Sequence, residues 1–173
     1  MAEYEDDYYD SHKKIDNNQF ISEYLEMTKN KTCWQIGCYL GSMLYIDIGG
    51  QCKRFFGKGK KDEVIVGTDT ISIYDCYWEI WHDNELIIDA WTDNTIIKEK
   101  IQCLVNRQFV DVLIDENWIE FSFSDNYKLF CDFTNQNEVE DETDSILQLR
   151  SENGNKYEIE VFGKILKHIE NEN

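Results

Sequence analysis

Histidine is the side chain most often used for proton transfer and metal ligation near neutral pH, because imidazole changes charge there. The chain has three, at His12, His82 and His168. His12 lies in an acidic lead and His168 near the last residues, so neither is expected to be held in place. His82 adjoins a hairpin turn, where it is expected to face water. A catalytic imidazole needs a nucleophile, acid or base fixed beside it, and a tail, a chain end and a solvated turn are poor places to fix one. Asp47 and Asp111 stand at corresponding places in two similar stretches, and paired carboxylates can do acid–base work. With 35 acids in 173 residues such pairs arise by chance, and solvated faces are the simpler reading.

Six cysteines are present (Cys33, Cys38, Cys52, Cys76, Cys103 and Cys131). No Cys-x-x-Cys occurs, and Cys33-x4-Cys38 has no histidine near it, so no metal site and no cofactor are expected. The cysteines read as reduced, with Cys76 and Cys131 serving as small apolar residues in strands. The one basic cluster, Lys53, Arg54, Lys58, Lys60 and Lys61 in "CKRFFGKGKKDE", lacks the spacing of a phosphate-binding loop and reads as a solvated loop.

Chemistry of a different kind is concentrated in "WEIWHDNELIIDAW", Trp78 to Trp91. Strand side chains alternate between faces. If Cys76, Trp78 and Ile80 point inward, then Tyr77, Glu79, Trp81, Ile87, Asp89 and Trp91 point outward, an unusually aromatic face for water. Either a helix or second sheet covers it, or it is a partner site, since Trp and Tyr ringed by charge are typical binding anchors.

Such a face needs a scaffold, and most of the chain reads as strand. The fold class expected is mainly β (α+β), with antiparallel sheets built from hairpins in two related halves and one N-terminal amphipathic helix. The helix is placed at residues 18–28, with Phe20, Ile21, Tyr24 and Leu25 as its stripe and Asp16, Asn17 or Asn18 as its cap. Leu44, Ile46 and Ile48 alternate up to a break at Gly49-Gly50, and Val64 to Ile73 forms another strand. Three hairpins follow. Their turns are placed at Asp83-Asn84-Glu85, Asp125-Asn126-Tyr127 and Glu152-Asn153-Gly154, each odd in length so that the apolar sets share a face. In the first, Leu86, Ile88 and Ala90 join the inward set. The two halves are suggested by an echo between residues 39–49 and 103–113, in which Ile46-Asp47-Ile48 matches Val110-Asp111-Val112. The closing segment is expected to be at best a short helix. Residues 1–14 are expected to be an acidic flexible tail, and 15–173 a single β-rich domain. A chain without proline must guard its strand edges with charge or cover.

Bulk composition narrows the function classes. A net charge of −18 disfavours nucleic acid and anionic membranes, because both are bound through clustered Lys and Arg. The aromatic content, 14%, is too high for a disordered chain. The first residues show neither the basic nor the apolar region of a secretory signal, and no apolar run approaches the roughly 18 residues of a membrane span. A cytoplasmic location is the expectation.

"GTDTISIYDCYWEIWHDNELIIDAWTDN", "LVNRQFVDVLID" and "WIEFSFSDNYKLFCDF" together resemble a set of small uncharacterised bacterial proteins. The matching positions are Ile73-Tyr74, Cys76, Trp78, Leu104, Phe121, Phe123 and Leu129, over residues 38 to 165. Val105-Asn106 stands where a turn glycine is usual, and the acidic extension is a further departure. In size and acidity these proteins resemble polymorphic-toxin immunity proteins, a resemblance that carries no catalytic residues. It implies an acidic inhibitor that neutralises a basic, nuclease-like toxin. The alternatives are a phage anti-defence protein that imitates nucleic-acid charge, a homodimeric structural module, or a small-molecule enzyme. The expected partner-binding residues are Trp81, Asp89 and Trp91 with the acidic loop residues Glu138, Glu140, Asp141, Glu142 and Asp144. The partner is a basic protein, with no direct nucleic acid and no membrane.

Overall fold

A computed structural model describes residues 12–39, 43–56, 62–134, 145–160 and 163–168. In chain order the elements are β1 (His12–Ile15), α1 (Asn17–Thr28), β2 (Cys33–Cys38), β3 (Leu44–Phe56), β4 (Asp62–Ile73), β5 (Tyr77–His82), β6 (Glu85–Asp89) and α2 (Asn94–Lys100). A 3-10 turn (Ile101–Leu104) leads into β7 (Phe109–Ile114), β8 (Trp118–Phe123), β9 (Tyr127–Asp132), β10 (Ser145–Arg150), β11 (Lys156–Glu160) and β12 (Ile165–His168). The fold is mainly β, and every strand pair among the described residues is antiparallel. One sheet has seven strands in the order β1-β12-β11-β10-β4-β3-β2, and the other has five in the order β6-β5-β9-β8-β7.

The inward faces of both sheets join one apolar cluster. Ile46, Ile71, Ile73, Leu147, Leu149 and Ile159 enter it from the larger sheet, and Trp78, Ile80, Phe121, Leu129 and Cys131 from the smaller. Each is at or below 1% exposure. Helix α1 starts where Asp16 accepts the backbone N–H of Gln19 and stops before Asn30, which takes a left-handed conformation (φ 68°). Its buried Phe20 and Tyr24 touch Tyr157 of the larger sheet, and Tyr24 also meets Phe109 of the smaller. The helix therefore fills the core between the sheets, and the aromatic outer face of β5 is left without it.

Several expectations change. His12–Ile15, placed mostly in a tail, pairs with β12. Of the closing segment, expected to be at best a short helix, Ile165–His168 form a strand between β1 and β11, and the residues after His168 lie outside the described ones. Strand β3 runs through Gly49-Gly50 by a bulge instead of breaking there. Its residues Lys53 and Arg54 continue the ladder with β4, so the basic "loop" begins as a two-stranded arm. Lys58, Lys60 and Lys61 lie outside the described residues. A second helix, α2, was not anticipated. It is capped by Asp93 and buries only Ile97.

The echo between the two stretches does not extend to geometry. Ile46 is buried while its counterpart Val110 is exposed, and Leu104 lies in the 3-10 turn rather than on a strand. Asp47 and Asp111 sit in different sheets, so they form no pair, and Asp47 is buried rather than solvated.

Candidate functional site

The outer face of the five-stranded sheet is built by pleat parity alone. With Trp78, Ile80, Phe121, Leu129 and Cys131 facing the core, their neighbours must face away. The register then sets them in rows across β5, β9, β8 and β7. Tyr77, Asp132 and Trp118 form the first row. Glu79, Phe130, Glu120 and Leu113 form the second, and Trp81, Lys128, Ser122 and Asp111 the third. Apolar side chains and carboxylates thus alternate along the first two rows and down β5. Much of this face forms a shallow hollow of about 700 Å³, lined by Trp81, Phe130, Glu79, Glu120 and Lys128 among others. None of the described elements lies over it.

Local hydrogen bonds fix the acids. Glu79 accepts from Trp81 Nε1 at 2.7 Å and from the Tyr77 hydroxyl at 2.9 Å, and that hydroxyl also stands 3.3 Å from Asp89 Oδ2. Burial, and then these two carboxylates, push the Tyr77 hydroxyl well above its ordinary pKa. It stays protonated, so its single proton is shared between Glu79, the nearer acceptor, and Asp89. Lys128 is the one cation in the three rows, and Glu120 holds it at 2.9 Å. Trp118 and Phe130 lean together at 5.9 Å between ring centres.

The structure brings Trp81 and Asp89 to this face as expected. Asp89 also supports the turn after β6, accepting from Trp91 N and Thr92 Oγ1. Trp91 stands at the rim, 78% exposed and 4.5 Å from the Tyr77 ring. The acidic loop residues Glu138, Glu140, Asp141, Glu142 and Asp144 lie outside the described residues. Trp118, Phe130 and Glu120 were missed. The same parity reading, applied to the outer side of the second hairpin, would have found them.

The parity itself is reached differently in the first hairpin. Its turn has two residues, Asp83 and Asn84, both left-handed (φ 48° and 66°), and His82 pairs directly with Glu85. A bulge then pairs Trp81 with Leu86 and Ile80 with Ile88. The extra residue, Ile87, restores the inward set that a three-residue turn was expected to supply, and Leu86 turns out to solvent. In the second hairpin the loop is Ser124–Asn126, one residue earlier than expected. In the third it spans residues 151–155. The first two turns dock: Asn126 Nδ2 donates to Asp83 Oδ1 at 2.9 Å, and His82 stacks on Tyr127 at 4.2 Å. His82 is therefore a packing partner of the turn pair, with the Arg107 guanidinium 4.8 Å from the same Tyr127 ring.

The other two histidines do not dangle. His12 and His168 are directly opposed across β1 and β12, with Glu158 of β11 beside them. No sequence signal announces a pair 156 residues apart; only the strand register brings it together.

All six cysteines are free thiols. Burial pushes the Cys33 thiol up to about 12, which leaves it protonated and unreactive at neutral pH. No described helix is long and apolar enough to cross a membrane. In comparisons with known proteins, the chain matches no family model, no curated protein and no solved structure.

Proposed function

We propose that this chain is a binding protein whose outer five-stranded face docks a basic protein. In its most concrete form it is an immunity protein that occludes a basic, nuclease-like toxin. The observation that carries the reading is the interleaving of Tyr77, Trp81, Trp118 and Phe130 with Glu79, Glu120 and Asp132, and Asp111 at the edge, on one sheet face that none of the described elements covers. Rings of this kind supply the short-range energy of an interface, and carboxylates of this density supply long-range steering. The net charge of −18 acts in the same direction. A second copy is a poor occupant, because its carboxylates would meet their own kind.

The test is a titration of the purified chain against the basic protein encoded beside it. Binding is expected to weaken at least tenfold as salt rises from about 50 to about 500 mM, chiefly through slower association. Trp81→Ala is expected to cost about 2 kcal/mol through faster dissociation. A complex indifferent to both salt and Trp81→Ala would sink the reading.

A further inference from the structure

Away from the aromatic face, on the larger sheet, three potential metal ligands converge. His12 Nε2 lies 2.7 Å from His168 Nε2, and His168 Nε2 lies 3.1 Å from Glu158 Oε1. All three ligand atoms fall within 4.8 Å of one another. They come from three consecutive strands of the sheet, β1, β12 and β11, whose backbones are fixed by ladder pairing. The set is partly sheltered, with the His168 side chain 19% exposed and that of Glu158 9%.

We propose that His12, His168 and Glu158 form a binding site for a divalent transition-metal ion of the Zn²⁺ class. Two imidazoles and one carboxylate make a borderline-soft donor set, suited to zinc and poorly suited to calcium or magnesium. A tetrahedral ion with bonds of about 2.0–2.1 Å holds its ligand atoms about 3.4 Å apart. The two imidazole nitrogens therefore need to separate by roughly 0.7 Å from their 2.7 Å spacing, within reach of small ring rotations. The fourth position falls to water. Among the described residues Lys156 opposes the ion, with its Nζ 2.6 Å from Glu158 Oε1, the same oxygen that faces His168 and accepts from Gln148 Nε2 at 3.2 Å. A carboxylate has two oxygens, so a turn of the Glu158 carboxylate leaves these donors on one and gives the other to the metal, and the Lys156 stem is flexible enough to withdraw. The consequence is mechanical. An ion here bolts the first strand to β12 and β11. The site is independent of the aromatic face and of any partner that face binds.

The experiment uses untagged full-length chain, stripped with chelator, titrated with Zn²⁺ by calorimetry and with Co²⁺ by visible absorption. Expected are saturation at one equivalent, the d–d bands of tetrahedral cobalt without thiolate charge transfer, and a raised melting temperature. Losing a supporting group outside the ligand set costs about 10–100-fold in metal affinity, so His168→Ala, which removes a ligand, is expected to cost at least that much. His12→Asn, on the edge strand where folding tolerates change, must do the same while the far-ultraviolet circular dichroism spectrum stays that of the parent. Absence of saturable binding, affinity unchanged in His12→Asn, or cobalt–thiolate absorption from the cysteines would each overturn the site. The first of these outcomes reduces the cluster to a proton-sharing histidine pair.

Discussion

At the scale of single residues, two carboxylates illustrate opposite electrostatic outcomes. Burial raises the pKa of Asp47 against the backbone N–H of Gly67, which its Oδ1 accepts at 2.7 Å, and against the hydrogen bond from Tyr45. A carboxylate raised in the folded state contributes stability only when protonated. That contribution fades as pH climbs from the ordinary value of 3.8 through the folded one. Asp47→Asn keeps the acceptor without the charge, so urea unfolding at pH 7 is expected to show equal or higher stability. Asp47→Ala strands the Gly67 amide and is expected to lose about 1–3 kcal/mol. Glu23 behaves the other way. Burial pushes it up, but hydrogen bonds from Lys167 at 2.7 Å, Gln19 and Tyr157 outweigh that and hold it at about 2. Its contribution is complete above the ordinary value of 4.5 and is lost as pH falls toward about 2. Glu23→Gln is expected to cost about 1–2 kcal/mol at neutral pH, after allowance for solvent screening, and to flatten that part of the acid limb. Unfolding curves of the two proteins between pH 6 and pH 2 check it.

At the scale of elements, the long β3–β4 arm depends on a bulge. Gly49 is left-handed (φ 84°), and a Cβ on Gly67 would lie 2.6 Å from Asp69 O and 2.8 Å from Ile48 N. Those are backbone atoms that cannot step aside. Gly67→Ala is therefore expected to lower stability by more than about 2 kcal/mol, read from chemical denaturation. The same element shows what a linear reading can and cannot deliver. Alternation in Leu44–Ile48 and the stripe of α1 were legible, because one period governs each and burial enforces it. The passage through Gly49-Gly50 was not, since a glycine pair marks a bulge as readily as an end. Parity identified the inward residues of β5 but not the two-residue turn with its bulge at Ile87, because two even-and-odd errors cancel. Helix α2 is too short, with one buried residue, for any periodicity to show. Trp81 and Asp89 could be placed on the candidate face from alternation, whereas Trp118 and Phe130 needed knowledge that β8 and β9 continue the same sheet as β5.

At the scale of the whole molecule, charge works against compactness. With 35 acids against 17 bases, the folded chain repels itself more than the expanded one. Adding simple salt to about 0.5 M shortens the screening length to a few ångströms. The melting temperature is expected to rise by several degrees under that change, a shift that calorimetry can follow. The opposite response, a fall, would mean that ion pairs such as Lys31–Asp69 outweigh the repulsion.

The order of the larger sheet has a bearing on birth as well as on shape. Among the described residues strand β1 pairs with β12 alone, and β12 is among the last described segments to be made. During synthesis the first strand must therefore wait, unpaired, until Ile165–His168 has cleared the ribosomal exit tunnel. Nascent chains arrested before that point are expected to yield to protease at His12–Ile15, and released chains to resist. Completion of this sheet thus waits on the emergence of β12, and a holding chaperone has its natural window just before it.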